Sequence, residues 1–187
     1  MKIDAFYSDP HFGHKNILKY CPTRQALGST IEEHDEALIR RYNATVTPKM
    51  NVCWVGDCFW YNVEKSMRIM NRLNGSKILV VGNHDKKPVK MAELGFSLVA
   101  DRFHIMVEEF PTLVCHYPYA GAKYAGDEYD ERFLDIRPVK TNGQWLIHGH
   151  SHVDFKKADL SIHVGVDAWD YKPAPYEEVY NLMKART

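Results

Sequence analysis

Short apolar runs that end abruptly in polar residues recur along this chain. The clearest covers residues 77–81, contains several β-branched side chains and leads directly into Gly82, Asn83, His84 and Asp85. Such a run predicts a buried strand, and the glycine permits a tight turn at its end. Because ligands of open α/β sheets bind beyond the carboxyl ends of the strands, the three polar residues are candidates for chemistry.

The first half of the chain alternates predicted strands with predicted helices. The strands are expected at residues 2–8, 51–55 and 77–81, and the helices at residues 30–46, 63–73 and 87–94. Thr30 and Glu33 have the spacing of a capping box at the start of the first helix, where residues 33–36 are expected to form a solvated face. This alternation predicts a sheet that is covered by helices.

The second half has a different pattern, in which short strands follow one another with few helices between them. These strands are expected at residues 96–100, 104–108, 112–115, 144–147 and 161–166. The pattern predicts a second sheet, antiparallel or mixed, that packs on the first. A final amphipathic helix is expected at residues 175–184.

The composition is typical of an ordinary globular chain. Its 187 residues fit a single domain, residues 1–187, and its hydrophobic and charged fractions are 45% and 26%. Lysine plus arginine equals aspartate plus glutamate at 24 each, so the charge gives no strong nucleic-acid signal. With no apolar leader and no run of transmembrane length, a cytoplasmic protein without a membrane partner is expected. Four cysteines without a C-x-x-C pair indicate neither a disulfide framework nor a structural zinc site.

Several predicted strand ends carry side chains that bind metal ions: Asp9, His11, Asp57, Asn83, His84, His116, His150 and His152. Asp9 and His11 are two residues apart, so in an extended backbone both side chains point to the same side. Carboxylate, imidazole and amide ligands without thiolates suit Mn, Fe, Zn, Ni or Co, and Mn is our first choice. Seven ligands drawn from these eight residues are too many for one ion, whereas two divalent ions bridged by one carboxylate would use them all.

Taken in chain order, these residues resemble the motifs of the calcineurin-like metallophosphoesterase superfamily. The motifs are Asp9-Pro10-His11, Gly56-Asp57, Gly82-Asn83-His84-Asp85, His116 and Gly149-His150-Ser151-His152. The match spans most of the chain and is closest to the small stand-alone bacterial or phage-encoded members, whose opening motif often has the form Asp-x-His-Phe-Gly-His. The resemblance implies an α/β (α+β) fold, a four-layer sandwich of two mixed β-sheets flanked by helices, with the metal site at the C-terminal ends of the strands.

The resemblance also implies a role for each of these residues. One metal ion would be held by Asp9, His11 and His152, the other by Asn83, His116 and His150, and Asp57 would bridge the two. His84 would face the substrate phosphate and stabilise its charge or protonate the leaving oxygen. Asp85 would orient a neighbouring imidazole.

The activity that this arrangement implies is that of a metal-dependent phosphoesterase, and a phosphodiesterase in particular. The expected reaction is in-line attack on phosphorus by a hydroxide that bridges the two cations. The substrate would be a small phosphoester, nucleotide-like or another organic diester. Residues 58–61 lack the Asp-Arg-Gly that follows Gly-Asp in the Ser/Thr protein phosphatases, which disfavours that substrate class. The alternatives are a structure-specific nuclease and a non-catalytic metal-binding interaction module.

A few further residues are expected to support or line the site, and two of them have alternative interpretations. His14 and Asn16 could line the phosphate pocket, or His14 could begin the next helix. His148 is expected to be a packed, hydrogen-bonded histidine. The polar and aromatic segment 117–143, with Lys123, Arg132, Arg137 and Lys140, is expected to form part of the substrate wall.

Overall fold

The computed structural model of the protein describes residues 2–122 and 133–185. The strands in this part of the chain are β1 Ala5–Tyr7, β2 Asn51–Trp54, β3 Ser76–Val80, β4 Leu98–Ala100, β5 Arg102–Val107, β6 Phe110–Cys115, β7 Trp145–His148, β8 Lys157–Ala158, β9 Ser161–His163 and β10 Ala174–Pro175. The α-helices are α1 Ile17–Tyr20, α2 Ile31–Thr45, α3 Val63–Met70, α4 Pro88–Glu93 and α5 Tyr176–Lys184, and two 3-10 helices cover Pro22–Leu27 and Val166–Ala168.

The first sheet has the strand order β10-β1-β2-β3-β4, in which β1 to β4 run parallel and β10 is antiparallel to β1. The expectation that residues 96–100 belong to the second sheet is wrong, because β4 pairs with β3. The short helix α4 makes this pairing possible, since it carries the chain back over the sheet for another parallel strand. Met91 and Leu94 anchor this crossover in the core under the helices.

The second sheet has the order β5-β6-β7-β9-β8 and is mixed, as the sequence predicts. β6, β7 and β9 run parallel to one another, while β5 and β8 are antiparallel edge strands. The carboxyl ends of three central strands therefore lie at one edge of this sheet, as those of β1 to β3 do in the other.

The two sheets pack face to face, and strand alternation separates the two sides of each. Phe6, Cys53 and Val80 belong to the core between the sheets, which they share with Val114 and Ile147 of the second sheet. The alternate residues of the first sheet, such as Tyr7, Trp54 and Leu79, pack instead with α2, α3 and α4 on its outer side. The predicted α+β sandwich is confirmed.

The capping box at the start of α2 is confirmed, since the Thr30 side chain accepts from the amide of Glu33 and the Glu33 side chain accepts from the amide of Thr30. The solvated face expected at residues 33–36 is wrong for two of its members, because His34 and Asp35 are buried. Asp35 accepts hydrogen bonds from the Gly13 amide and from the His34 ring, and so ties α2 to the loop after β1.

The outer face of the second sheet carries a separate cluster, formed by Leu113, Cys115 and Leu146 with Tyr117 and Tyr119. Within the described residues these side chains are covered by the segments that follow β6 and precede β7. Among all the residues that the structure describes, no helix is long and apolar enough to cross a membrane.

Candidate metal centre

The polar residues that follow five parallel strands meet in one place. Asp9 follows β1, Asp57 follows β2, Asn83 follows β3, His116 follows β6 and His150 follows β7. Because the two sheets present these ends at a common edge, their side chains come within reach of one another. His11 and His152 join them from the loops that continue after β1 and β7.

One donor group consists of Asp9, His11 and His152, whose donor atoms all lie within 4.8 Å of one another. The Nε2 atoms of His11 and His152 are 3.1 Å apart, and the His11 Nε2 lies 3.8 Å from Oδ1 of Asp9. Asp9 and His11 are almost fully buried. This group is the set expected for one metal ion.

A second donor group consists of Asn83, His116 and His150. The amide oxygen of Asn83 lies 3.1 Å from Nε2 of His116 and 2.9 Å from Nδ1 of His150. The structure thus brings together the set expected for the other ion.

Asp57 lies between the two groups. Its Oδ2 is 3.8 Å from Nε2 of His11 and 3.6 Å from Nε2 of His116, one histidine from each group. Asp57 also forms a group with Asp9 and His116, in which the donor atoms lie within 4.8 Å. This is where a bridging carboxylate would be.

The spacing of these atoms fits a bound cation. Two donors that share an ion at bond lengths of about 2.0–2.2 Å are separated by about 2.8–3.6 Å. The three close pairs, at 3.1, 3.1 and 2.9 Å, fall within that range. In addition, the buried Oδ1 of Asp9 has no hydrogen-bond partner within the described residues, and an unpartnered carboxylate oxygen is costly to bury. The donor set therefore fits a divalent metal ion.

Neighbouring groups orient two of the imidazoles. The Nδ1 of His116 lies 2.7 Å from the carbonyl oxygen of Val55, and the Nδ1 of His152 lies 2.9 Å from Oδ2 of Asp167. When Nδ1 carries the proton and donates it to these oxygens, Nε2 keeps its lone pair and faces the other ligands. This is the tautomer in which Nε2 can bind a metal ion.

Asp57 and His116 shift the pKa values of each other in opposite directions. Burial acts to raise the pKa of Asp57, but attraction to His116 and the amide of His84 overcomes it and lowers the value to about 2. Burial likewise acts to lower the pKa of His116, while Asp57 raises it to about 9. The carboxylate of Asp57 is therefore ionised, as a metal ligand must be, whereas a metal ion that binds His116 must displace a proton from it.

The backbone at this site is unusual. Five of the seven expected ligands have positive φ angles, namely Asp9 at 57°, His11 at 52°, Asp57 at 56°, His150 at 71° and His152 at 49°. Such left-handed conformations cost about 1–3 kcal/mol each and cluster at functional sites. The extended backbone assumed for residues 9–11 is therefore wrong: Asp9 and His11 reach the same place because the chain turns at both of them.

Asp85 holds the ends of β2 and β3 together. Its carboxylate accepts hydrogen bonds from the amides of Asp57 at 3.0 Å, Cys58 at 2.8 Å and Gly82 at 2.9 Å. Burial, followed by the charge of Asp57, raises its pKa to about 6 although these amides oppose the rise. Asp85 thus fixes the backbone that carries Asp57, and within the described residues its side chain makes no hydrogen bond to an imidazole.

Gly82 is packed directly against Asp57. A methyl group at this position would overlap Oδ1 of Asp57 and lie 2.7 Å from its amide nitrogen. The strand end can approach the ligand this closely only because it lacks a side chain.

His84 is exposed and faces the cleft over the donor groups. Its amide donates to Oδ1 of Asp57 at 2.9 Å, and its ring lies 4.5 Å from the ring of Trp60.

His14 stacks on the same indole of Trp60 at 4.1 Å and also lines the cleft, whereas Asn16 is exposed at the start of α1 and is not part of the lining. His148 is buried and its Nδ1 lies 2.9 Å from the Gly149 oxygen.

The cleft has a volume of about 1470 Å³ and contains residues of both donor groups. Besides them, its wall includes Tyr20, Trp60, Phe133, Arg137 and Tyr171. Of the cations expected in segment 117–143, Arg137 lies in this wall, whereas Lys140 pairs with Asp159. Lys123 and Arg132 lie outside the described residues.

Sequence reasoning missed Arg24, Asp167 and Cys21, all of which lie next to His152. Arg24 is completely buried and forms an ion pair with Asp167, which contacts the His152 ring. Cys21, His152 and Asp167 form a third group of donors within 4.8 Å. Asp167 directly follows the strand predicted at residues 161–166, so the strand-end pattern could have indicated it, whereas only the fold shows that Arg24 and Cys21 lie beside His152.

Comparison with known proteins supports the fold. No protein-family model matches the chain. The Gene 66 protein of Mycobacterium phage L5 is 27% identical over 201 residues, which cover 95% of this chain and 92% of the phage protein. The crystal structure of AQ665 from Aquifex aeolicus, a protein of unknown function, aligns with a TM-score of 0.70 and 27% identity over 95% of this chain and 97% of its own. YfcE, a phosphoesterase from E. coli, overlaps with a TM-score of 0.40 and 15% identity over 86% of this chain and 76% of its own, which is too little to support an inference.

Proposed function

We propose that this protein is a metal-dependent phosphoesterase of the calcineurin-like kind and that it hydrolyses phosphodiesters. The observation that carries the proposal is the convergence of seven donor side chains from separate loops, with three donor pairs at the spacing of ligands that share one ion. Carboxylate, imidazole and amide donors without a thiolate favour Mn, Fe, Zn, Ni or Co over a purely oxygen-bound ion.

Two ions account for the donors better than one. Asp9, His11 and His152 would hold the first, and Asn83, His116 and His150 the second. Asp57, with its Oδ2 less than 4 Å from a histidine of each group, would bridge them. When bound, the ions would supply an acidified water and neutralise charge on the phosphoryl oxygens.

The protein's own residues would complete the chemistry. His84 is the exposed imidazole of the cleft that has no place in either donor group, and its position is fixed by its amide bond to Asp57. From there it can donate a proton to a leaving oxygen or stabilise the phosphate. Asp57 therefore has two tasks, as a ligand and as the support of His84.

The cleft supports a diester with organic groups on both sides of the phosphorus. About 1470 Å³ is far more than one phosphate fills, and aromatic rings stand in its wall. Stacking on a base contributes roughly 1–3 kcal/mol per base in nucleic-acid sites, so Trp60 and Tyr20 favour a nucleotide-like substrate. Arg137 also lies in the wall of this cleft.

The test is a hydrolysis panel with added Mn²⁺, Ni²⁺, Zn²⁺ or Mg²⁺. The substrates are an aryl phosphodiester, the matching monoester, 2′,3′- and 3′,5′-cyclic nucleotides, and single-stranded DNA. Diester cleavage that depends on metal and is lost in Asp57→Asn is the expected result. Cleavage that survives both a chelator and Asp57→Asn would refute the proposal, and a preference for DNA would favour the nuclease. Metal binding without turnover of any substrate would point to an interaction module.

His84→Ala separates chemistry from metal binding. We expect this variant to keep its metal content and to lose about 10²–10⁴ in turnover, the range attributed to a positioned general acid. Metal content is measured by elemental analysis after gel filtration. Loss of metal instead of turnover would show that His84 acts as a ligand.

A further inference from the structure

Arg24 is the most unusual charged residue beside the metal centre. It lies in the 3-10 helix Pro22–Leu27 and its side chain has no exposed surface. A guanidinium cannot lose its charge at accessible pH, so it is buried only where acceptors surround it. The acceptors that it uses show what it holds in place.

Two of the acceptors belong to Asp167. The Nε of Arg24 donates to Oδ1 at 2.7 Å and its Nη2 donates to Oδ2 at 2.6 Å, which makes a bidentate pair. The same Oδ2 lies 2.9 Å from Nδ1 of His152. Asp167 therefore connects the guanidinium to an expected metal ligand, and its bond to Nδ1 turns Nε2 toward His11.

The other two acceptors belong to the loop after β1. Nη2 of Arg24 also donates to the carbonyl oxygen of Asp9 at 2.9 Å, and Nη1 donates to that of Pro10 at 3.3 Å. This is the loop in which Asp9 and His11 take left-handed backbone conformations, which persist only where other contacts hold them. One side chain thus holds all three members of the first donor group, two through the backbone and one through Asp167.

The same geometry disfavours a separate metal site at Cys21. Cys21, His152 and Asp167 are close enough to share an ion. However, Nη2 of Arg24 lies 3.3 Å from Nδ1 of His152 and already neutralises Asp167. A second cation there would face this guanidinium in a buried environment.

We propose that Arg24 and Asp167 are positioning residues for the first metal ion and do not act on the second. The inference rests on the proposed function, since it assumes that the donor groups bind metal. Asp167→Asn exchanges the ionised acceptor for an amide of the same size, and Arg24→Gln removes the guanidinium. Loss of such an outer partner typically weakens metal affinity about 10–100-fold.

The experiment titrates Mn²⁺ into the wild type and both variants by calorimetry, after removal of bound metal. The wild type should bind two equivalents. Asp167→Asn should lose or weaken one of them 10–100-fold and keep the other unchanged, and Arg24→Lys should recover part of what Arg24→Gln loses. Asp170→Asn is the matched control. Asp170 stands three residues after Asp167 and also pairs with an arginine, Arg41, at 2.8 Å, but this pair is on the surface. Its substitution should leave the affinity of both Mn²⁺ equivalents unchanged.

A second measurement needs no variant. Nitrogen NMR of the histidine side chains in the Zn²⁺-loaded wild type should show His152 protonated at Nδ1, the atom that faces Asp167. A proton on Nε2, or two Mn²⁺ equivalents of unchanged affinity in folded Asp167→Asn, would overturn the inference while the proposed function stands. A wild type that binds no divalent ion would overturn both.

Discussion

Asp85 gives the sharpest stability prediction in the molecule. Its partly buried carboxylate is the acceptor for three backbone amides, those of Asp57, Cys58 and Gly82. Oδ2 serves two of them and Oδ1 serves one. Removing the carboxylate therefore leaves three amides at the ends of β2 and β3 without their acceptor.

The expected cost differs between two substitutions. A buried donor without its partner costs about 1–3 kcal/mol, so Asp85→Ala should lower the free energy of unfolding by about 3–6 kcal/mol once some water has entered the space. Asp85→Asn can place its amide oxygen where Oδ2 lies and keep two bonds. It leaves only the Cys58 amide opposite an NH₂ group, which predicts a loss of about 1–3 kcal/mol.

The assay is equilibrium unfolding in guanidinium chloride with a chelator present, so that metal binding does not add to stability. Asp101→Ala is the control, because Asp101 is exposed between β4 and β5 and its loss should change stability by less than about 0.5 kcal/mol. If Asp85→Ala falls within 1 kcal/mol of the wild type, or if Asp85→Asn is equally damaging, the three amides do not depend on this carboxylate as described.

Three further predictions follow from the same site and its surroundings. Gly82→Ala should weaken Mn²⁺ binding in calorimetry, because the added methyl group overlaps Oδ1 of Asp57, and unchanged affinity would contradict that contact. Burial, and secondarily the neighbouring His148, holds the pKa of His163 well below 6.5. Below pH 6.5 the His163 side chain therefore binds a proton in the unfolded chain but not in the folded protein. Stability should therefore fall with decreasing pH, and His163→Leu should reduce that slope by up to about 1.4 kcal/mol per pH unit. Restoring Mn²⁺ to the chelated protein at 100 times its dissociation constant should raise stability by about 2.7 kcal/mol per site, and an unchanged unfolding midpoint would count against binding to the native state.

The strand ends could be predicted from the sequence because their signal is local. An apolar run, a glycine and a polar group are adjacent in residues 77–85, and the same order recurs at residues 51–57 and 145–150. Parallel strands then bring these ends to one edge wherever the sheets form. The sandwich could be predicted for the same reason, although β4 was placed in the wrong sheet because a short strand does not specify its neighbour.

The supports of the site could not be predicted because their environment is created by distant parts of the chain. Arg24 and Asp167 are 143 positions apart, and although Asp167 follows a predicted strand, nothing near Arg24 indicates that its charge is buried. His34 and Asp35 follow a helix pattern that indicates a solvated face, yet both are buried and Asp35 accepts a hydrogen bond from the loop after β1. A charged residue is exposed by default, and only a partner supplied by the fold overrides that expectation.

The carboxylates of the two aspartate ligands each have a second task. Asp57 offers Oδ2 to the donor groups while its Oδ1 accepts from the His84 amide. The Oδ2 of Asp9 accepts from the His150 amide at 3.0 Å, and its Oδ1 has no hydrogen-bond partner among the described residues. The loops that carry the ligands therefore hold one another before any cation arrives, which lowers the ordering cost of binding. Replacing an aspartate by alanine removes both the ligand and this bond, so the measured loss of affinity would mix the two. Asparagine keeps an oxygen for the amide and changes only the group that faces the ion, which is why Asp57→Asn is the informative variant.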